Sequence, residues 1–270
     1  MNNADHSGFI PDVQIGISIY QQPFSFIKEC ILSALNQEGN YSVLCTIRVD
    51  GLNGCNPSTK VWLEQLSRNN PRVQIIFGEE NTGTYGSYKE IFNSSESRYL
   101  CQLDADDWLE TNAIKQCIDL LEVNPLSGFV YTGYNEVNKF GKFVRVGARS
   151  EEDFSLNRQL VQFNTFHLRV IRRTHYKLVD GYNESLQFTG DYDLSLKLAE
   201  QAKPCYLSTK LYNYRLHDSN TSIRKKELTI KEAFQIASDA LKRREQEHIW
   251  KLDYKYDQNK NTQLVNLSLR

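Results

Sequence analysis

Over residues 13–124, short β-branched runs alternate with segments whose apolar residues recur at helical spacing, and this alternation leaves few architectures open. The strand candidates are VQIGISIY (13–20), YSVLCTIRV (41–49), RVQIIF (72–77) and RYLCQL (98–103). Between them lie Ile27, Cys30, Ile31, Ala34 and Leu35 behind Pro23, then Val61, Trp62 and Leu66 behind Ser58 as a cap, then Tyr88, Ile91 and Phe92. Such connections are crossovers, so they predict a mostly parallel sheet with helices on both faces. Ligands of these sheets collect outside the carboxyl ends of the strands. Asp50 and Asp104 stand at two such ends and are site candidates by position alone.

Past residue 124 the pattern changes. GFVYTGYNEVNKFGKFVRVG reads as a hairpin turning near Lys139–Gly141, which makes the sheet mixed. HLRVIRR reads as a strand, DYDLSLKLAEQ as a helix, and PCYLSTKLYNYRLH as an extended pair. Residues 226–250 are amphipathic, with Ile230, Phe234, Ala237 and Leu241 on one face, and the tail beyond is polar and weakly patterned. The expected division is a domain over 1–225 and, over 226–270, a C-terminal helical extension and tail packed on or near it.

The 270 residues suffice for one large α/β domain. A formal net charge of −1 gives no global field toward nucleic acid, so an anionic ligand needs local cations. No basic-then-apolar leader and no apolar run near the ~20 residues of a spanning helix is present. The expectation is a cytoplasmic protein, with peripheral attachment at the inner face of a membrane left open. The six cysteines form no C-x-x-C pair and read as buried free thiols.

RYLCQLDADDWLE (98–110) puts three aspartates within four positions, directly after an apolar run. Asp107 with Glu110 fits a capping box that starts a helix over WLETNAIKQCIDLLE. Asp104 and Asp106, one residue apart at a strand end, can aim at one crevice, and hard oxygen donors of this kind suit Mg²⁺ or Mn²⁺. An acidic surface turn is the plain alternative. Asp191 and Asp193 in TGDYDLSLKLAE fall in a first helical turn, where the dipole alone would favour them. His217 in YRLHDSNTS is either a ligand or a loop histidine.

The ordered set ISIYQQPFSFIKECILSALNQ, RVDG, NTG, LDADDW, GDYDLSLKLAE and YRLHDSNTS resembles the inverting family-two glycosyltransferases of the GT-A fold, over about residues 13–223. Its later half looks like the catalytic modules of bacterial glycosaminoglycan-type polymerases. The resemblance implies a Rossmann-like nucleotide-binding domain that moves a sugar from a nucleotide-diphosphate donor, UDP-linked, to an acceptor hydroxyl. It further implies a hexosyl- or N-acetylhexosaminyl-transferase with a carbohydrate or glycolipid acceptor, forming a β-linkage in polysaccharide or glycoconjugate synthesis.

By the same resemblance, Tyr20 and Asp50 contact uracil, Asp104 the ribose, and Asn81 and Gly83 form a nucleotide-side loop. Asp106 and His217 hold Mn²⁺ or Mg²⁺, Arg215 and Ser222 lie near the diphosphate, and Asp191 is the general base, in an apolar surround from Tyr192 and Leu194. Ser87, Tyr88 and Lys89 depart from the alanine, arginine and asparagine of many relatives, and no Q-x-x-R-W motif is present. A pyrophosphorylase would want a glycine-rich loop after the first strand, and an aspartate-nucleophile phosphatase its D-x-D there; neither is found. The alternative of a different class is a non-catalytic nucleotide- or carbohydrate-binding scaffold of the same fold.

Overall fold

The computed structural model describes residues 10–149, 154–218, 220, 224–257 and 262–270. Four strands run parallel in its first half: β1 (Val13–Ile19), β2 (Val43–Val49), β3 (Val73–Phe77) and β4 (Tyr99–Gln102). They are joined by α1 (Phe24–Leu35), α2 (Pro57–Asn69) and α3 (Gly83–Asn93). Every residue of β1 is buried, as the near-continuous apolar run of a two-sided strand requires. Asn56 caps α2 by accepting from the Thr59 amide at 2.8 Å, so Ser58 is not the cap; its hydroxyl donates to Asn56 instead.

After β5 (Trp108–Leu109) and α4 (Ala113–Glu122) come β6 (Phe129–Asn138) and β7 (Phe143–Val146), the expected hairpin. A short α5 (Leu156–Gln159) leads to β8 (Arg169–Arg172), α6 (Arg173–Leu178) and α7 (Gly190–Gln201). The next segment, expected as an extended pair, is one long strand, β9 (Cys205–Leu216), with register shifts against β6. The sheet runs β3-β2-β1-β4-β8-β6-β9-β5, with β7 beside β6. Because β8 is antiparallel to both β4 and β6, the strands β1, β2, β4, β6 and β9 all point the same way. Their carboxyl ends share one edge.

Alternation along the strands divides the core. Val13, Ile15 and Ile17 of β1 pack with Ile31 of α1 and Cys117 of α4 on one face. Leu100, Phe129 and Tyr131 pack with Phe92 of α3 and Leu198 of α7 on the other. Gly16 lets α3 approach β1 closely, since a Cβ there would lie 2.8 Å from both Ile91 Cγ2 and Phe92 Cε1.

The extension begins as expected with a helix, α8 (Lys226–Arg243), which buries Ile236, Ala237, Ala240 and Leu241 against Leu160, Tyr192 and Leu196. It does not remain helical. The tail pairs β10 (Trp250–Asp257) with β11 (Thr262–Leu269) in an antiparallel two-stranded sheet. Glu232 of α8 reaches the loop before α7, where its carboxylate accepts from the amides of Gln187 (2.9 Å), Phe188 (2.8 Å) and Thr189 (2.7 Å) and from the Thr189 hydroxyl (2.7 Å). Replacing it strands three successive donors, each costing about 1–3 kcal/mol when left unsatisfied and dry. Glu232→Ala is expected to speed amide exchange at Gln187–Thr189 and to lower the unfolding midpoint, while amides of β1 keep wild-type protection.

Candidate functional site

A cleft of about 610 Å³ opens at the shared carboxyl edge, within the range of small-ligand sites. Tyr20 after β1, Asp104 and Asp106 after β4, Asp191 in the first turn of α7 and His217 after β9 all line it. Residues from four separated segments thus meet at one edge of the sheet.

The three clustered aspartates have separate surroundings. The Tyr88 hydroxyl bridges the Leu103 carbonyl (2.9 Å) and Asp104 Oδ1 (3.0 Å), and Gln102 Nε2 donates to the same oxygen at 2.9 Å. Loss of solvation, followed by repulsion from Asp106, pushes the Asp104 carboxyl up to about 6. Its side chain still presents 30% of its surface, which tempers that push. Asp106 Oδ2 lies 2.8 Å from His217 Nε2. Asp107 does not start a helix: α4 begins at Ala113, after Asn112. Asp107 is buried and accepts from the Tyr212 hydroxyl and the Arg215 amide, both at 2.7 Å. A carboxylate that can anchor a neighbouring strand inside the core outcompetes the local cap.

Asp106 and His217 offer a cation two donors, a carboxylate oxygen and an imidazole nitrogen. Among the described residues no group of three or more His, Cys, Asp or Glu side chains gathers to hold a metal. A cation held there would have one carboxylate oxygen and one imidazole nitrogen from the protein and would take its other ligands from water and ligand oxygens. Asn220 steadies it by accepting from the His217 amide at 2.6 Å.

Asp191 is surrounded by polar groups. Oδ1 accepts from the Tyr85 hydroxyl (3.2 Å) and the Tyr192 amide (2.9 Å), and Oδ2 lies 3.4 Å from Arg169 Nη2. The apolar surround expected from Tyr192 and Leu194 is absent, because Tyr192 turns its ring to Phe163 and donates to the Gln159 carbonyl, while Leu194 packs in the core. Asp193 has the structural part expected of it, 2.6 Å from Lys197 one turn on.

Four expected residues do not line the cleft. Asp50 is buried, paired with Arg48, and accepts from the amides of Thr82 (2.8 Å) and Gly83 (3.0 Å). It holds the loop that starts α3. Asn81 caps the same turn by accepting from the Gly83 amide at 3.0 Å, and Gly83 has φ +76°, where other residues are strained. Arg215 is buried with its guanidinium 4.3 Å from the Phe26 ring and 4.6 Å from the Trp108 ring. Its Nε donates to the Asp106 carbonyl at 2.8 Å and it pairs with Glu29, so it supports the cleft from behind. Ser222 lies outside the described residues.

Sequence reasoning missed Gln102, Tyr85, Tyr88, Arg169, His167 and Glu232. Gln102 carried a signal, as a polar residue in an apolar strand: its amide oxygen accepts from Tyr182 and faces Arg169, which fixes the donor end on Asp104. His167 carried none. It lines the cleft, stacks on Tyr212 at 4.4 Å, and has a buried Nδ1 with no hydrogen-bond partner among the described residues. Burial first, and then Arg169 and Arg149, hold its pKa well below the usual 6.5. The folded ring stays neutral while the unfolded one gains a proton, so this stability is present above pH 6.5 and lost as pH falls. One unit below, the loss is about 1.4 kcal/mol. Asp104 works in the opposite direction in that window, so the contribution is isolated by comparing variants. Chemical denaturation at pH 7.5 and 5.5 is expected to show a smaller acid loss in His167→Gln than in the wild type.

A sequence profile described as Glycosyl transferase family 2 matches residues 14–179. The chain is 31% identical to a hyaluronan synthase of Pasteurella multocida over 88% of its own length, and 30% identical to a chondroitin synthase of the same species over 95%. It spans about a quarter of the length of those relatives, 24% and 25%. Its fold is similar to S. aureus TarS in complex with UDP, with TM-score 0.67 at 15% identity, over 85% of this chain and 65% of that one. TarS in complex with UDP-GlcNAc gives TM-score 0.64 at 16% identity, over 86% and 72%. These neighbours are GT-A glycosyltransferases, and the mixed sheet with helices on both faces is the expected GT-A architecture. No described helix is long and apolar enough to cross a membrane. The chain belongs to glycosyl transferase family 2.

Proposed function

We propose that this domain transfers a sugar from a UDP-linked donor to a carbohydrate or glycolipid hydroxyl, with inversion and a β-linked product, in polysaccharide or glycoconjugate synthesis. One observation carries the reading: Asp104, the Asp106–His217 pair and Asp191 share a single cleft. The binding of UDP and UDP-GlcNAc by TarS, and the names of the polysaccharide synthases, support the donor and product classes.

Tyr20, 47% exposed at the end of β1, offers its ring to the nucleobase. Asp50 acts indirectly, by holding the Thr82–Gly83 turn beside the nucleotide end. Asp104 accepts from a ribose hydroxyl, its carboxylate aimed by Gln102 and Tyr88. A divalent cation, Mn²⁺ or Mg²⁺, held by Asp106 and His217 would neutralise charge on the departing diphosphate. Asp191 takes the proton of the acceptor hydroxyl as its oxygen bonds to the anomeric carbon and UDP leaves with the bonding pair. Tyr85 and Arg169 hold the carboxylate so that a lone pair faces the cleft. Attack on the face opposite the nucleotide inverts the centre, through an oxocarbenium-like transition state.

The test is a thermal-shift panel of UDP, GDP and dTDP, each with Mn²⁺, Mg²⁺ or EDTA. A nucleotide at 100 times its Kd adds about 2.7 kcal/mol of stability. A metal-dependent shift with UDP is expected, lost in Asp106→Ala. Asp191→Asn is expected to keep that shift while sugar transfer falls by roughly 10²–10⁴, the usual worth of a general base. No shift with any nucleotide overturns the reading. Nucleotide binding without turnover of any UDP-sugar favours the scaffold.

A further inference from the structure

The cleft faces its ligand with three carboxylates, Asp104, Asp106 and Asp191. A nucleoside diphosphate brings further negative charge to that cleft, and the arginine expected to meet it, Arg215, is spent on Phe26, Trp108, Glu29 and the Asp106 carbonyl. Arg169 is buried against Asp191 and the Thr165 carbonyl. Among the described residues that line the cleft, one carries a lysine or arginine charge, Arg224. It is exposed, has no ion-pair partner among the described residues, and stands just before α8. Two backbone steps tie it to the candidate cation site: the Asn220 amide donates to the His217 carbonyl at 3.1 Å, and the Arg224 amide to the Asn220 carbonyl at 3.0 Å. Asn220 Nδ2 also donates to the Arg215 carbonyl at 3.0 Å, which fixes this turn on the end of β9.

We infer that Arg224 is the side chain that grips the diphosphate, with its guanidinium fork on the non-bridging oxygens beside His217. A planar fork suits this task, because two parallel N–H donors match two oxygens of one phosphate and the charge persists at every working pH. With no ion-pair partner among the described residues, it breaks none of the described ion pairs when it closes on the ligand. Arg215 then has the complementary part of holding the strand end on which His217 is mounted.

This inference rests on the nucleotide-site reading above, and one titration series separates their failures. Uridine, UMP and UDP are titrated calorimetrically with Mn²⁺ into wild type, Arg224→Ala and Arg224→Lys. In the wild type, UDP should bind far more tightly than UMP. Arg224→Ala should weaken UDP by tenfold or more, leave uridine within twofold, and leave the ligand-free unfolding midpoint unchanged, as befits an exposed side chain. Arg224→Lys should fall between, keeping charge without the fork. Equal UDP affinity in wild type and Arg224→Ala overturns the assignment and leaves the nucleotide site standing. Absence of UDP binding in the wild type overturns both.

Discussion

The cleft depends on one buried carboxylate. Asp107 accepts from the Tyr212 hydroxyl and the Arg215 amide, and so joins the turn after β4 to the far strand β9, whose pairing with the edge strand β5 adds a second tie. Without that join, Asp106 and His217 have no reason to be neighbours, since they are carried by strands separated in the sheet by β8 and β6. A buried carboxylate in the core is costly unless its oxygens are paired, and here both are. Arg215 extends the join by pinning the Asp106 carbonyl and filling the space between Phe26 and Trp108. The groups that face solvent in the cleft are thus oriented by groups that do not.

The first half of the fold was legible because local rules and global packing agree there. The period-two and period-3.6 patterns lie in separate segments, and β1 to β4 follow them in order. Strand ends were legible in part: Tyr20, Asp104 and Asp106 reach the cleft because strand direction puts them there, whereas Asp50, also at a strand end, is buried under the loop that starts α3. What was not legible depends on partners distant in sequence. LDADDWLE fits a cap as well as it fits a tether, and only the presence of Tyr212 and Arg215, more than a hundred residues away, decides between them. The surroundings of Arg215 were hidden for the same reason, as its neighbours come from α1 and β5. The tail did carry a signal that sequence reasoning passed over: WKLDYKYD (250–257) alternates apolar and charged residues at period two, and Trp250, Leu252 and Leu267 pack against the cluster under α8.

Two kinds of acidic residue recur. Asp50 and Glu232 serve as anchors for backbone amides, one at the start of α3 and the other before α7. Asp104, Asp106 and Asp191 keep a lone pair toward the cleft while side chains or amides hold the rest. The distinction is one of remaining coordination capacity, and sequence position alone does not reveal it.

The contact made by Glu232 bears on where the domain can be cut. The stretch that carries the family's sequence signature stops at residue 179, before α7, β9 and α8. Gln187 and Phe188 nevertheless line the cleft, and their amides are held by a helix that begins at Lys226. A fragment chosen by signature would lack a wall of its own cleft, and a graft of this domain onto another chain would have to carry α8 with it. The smallest transplantable unit is therefore longer than the smallest identifiable one.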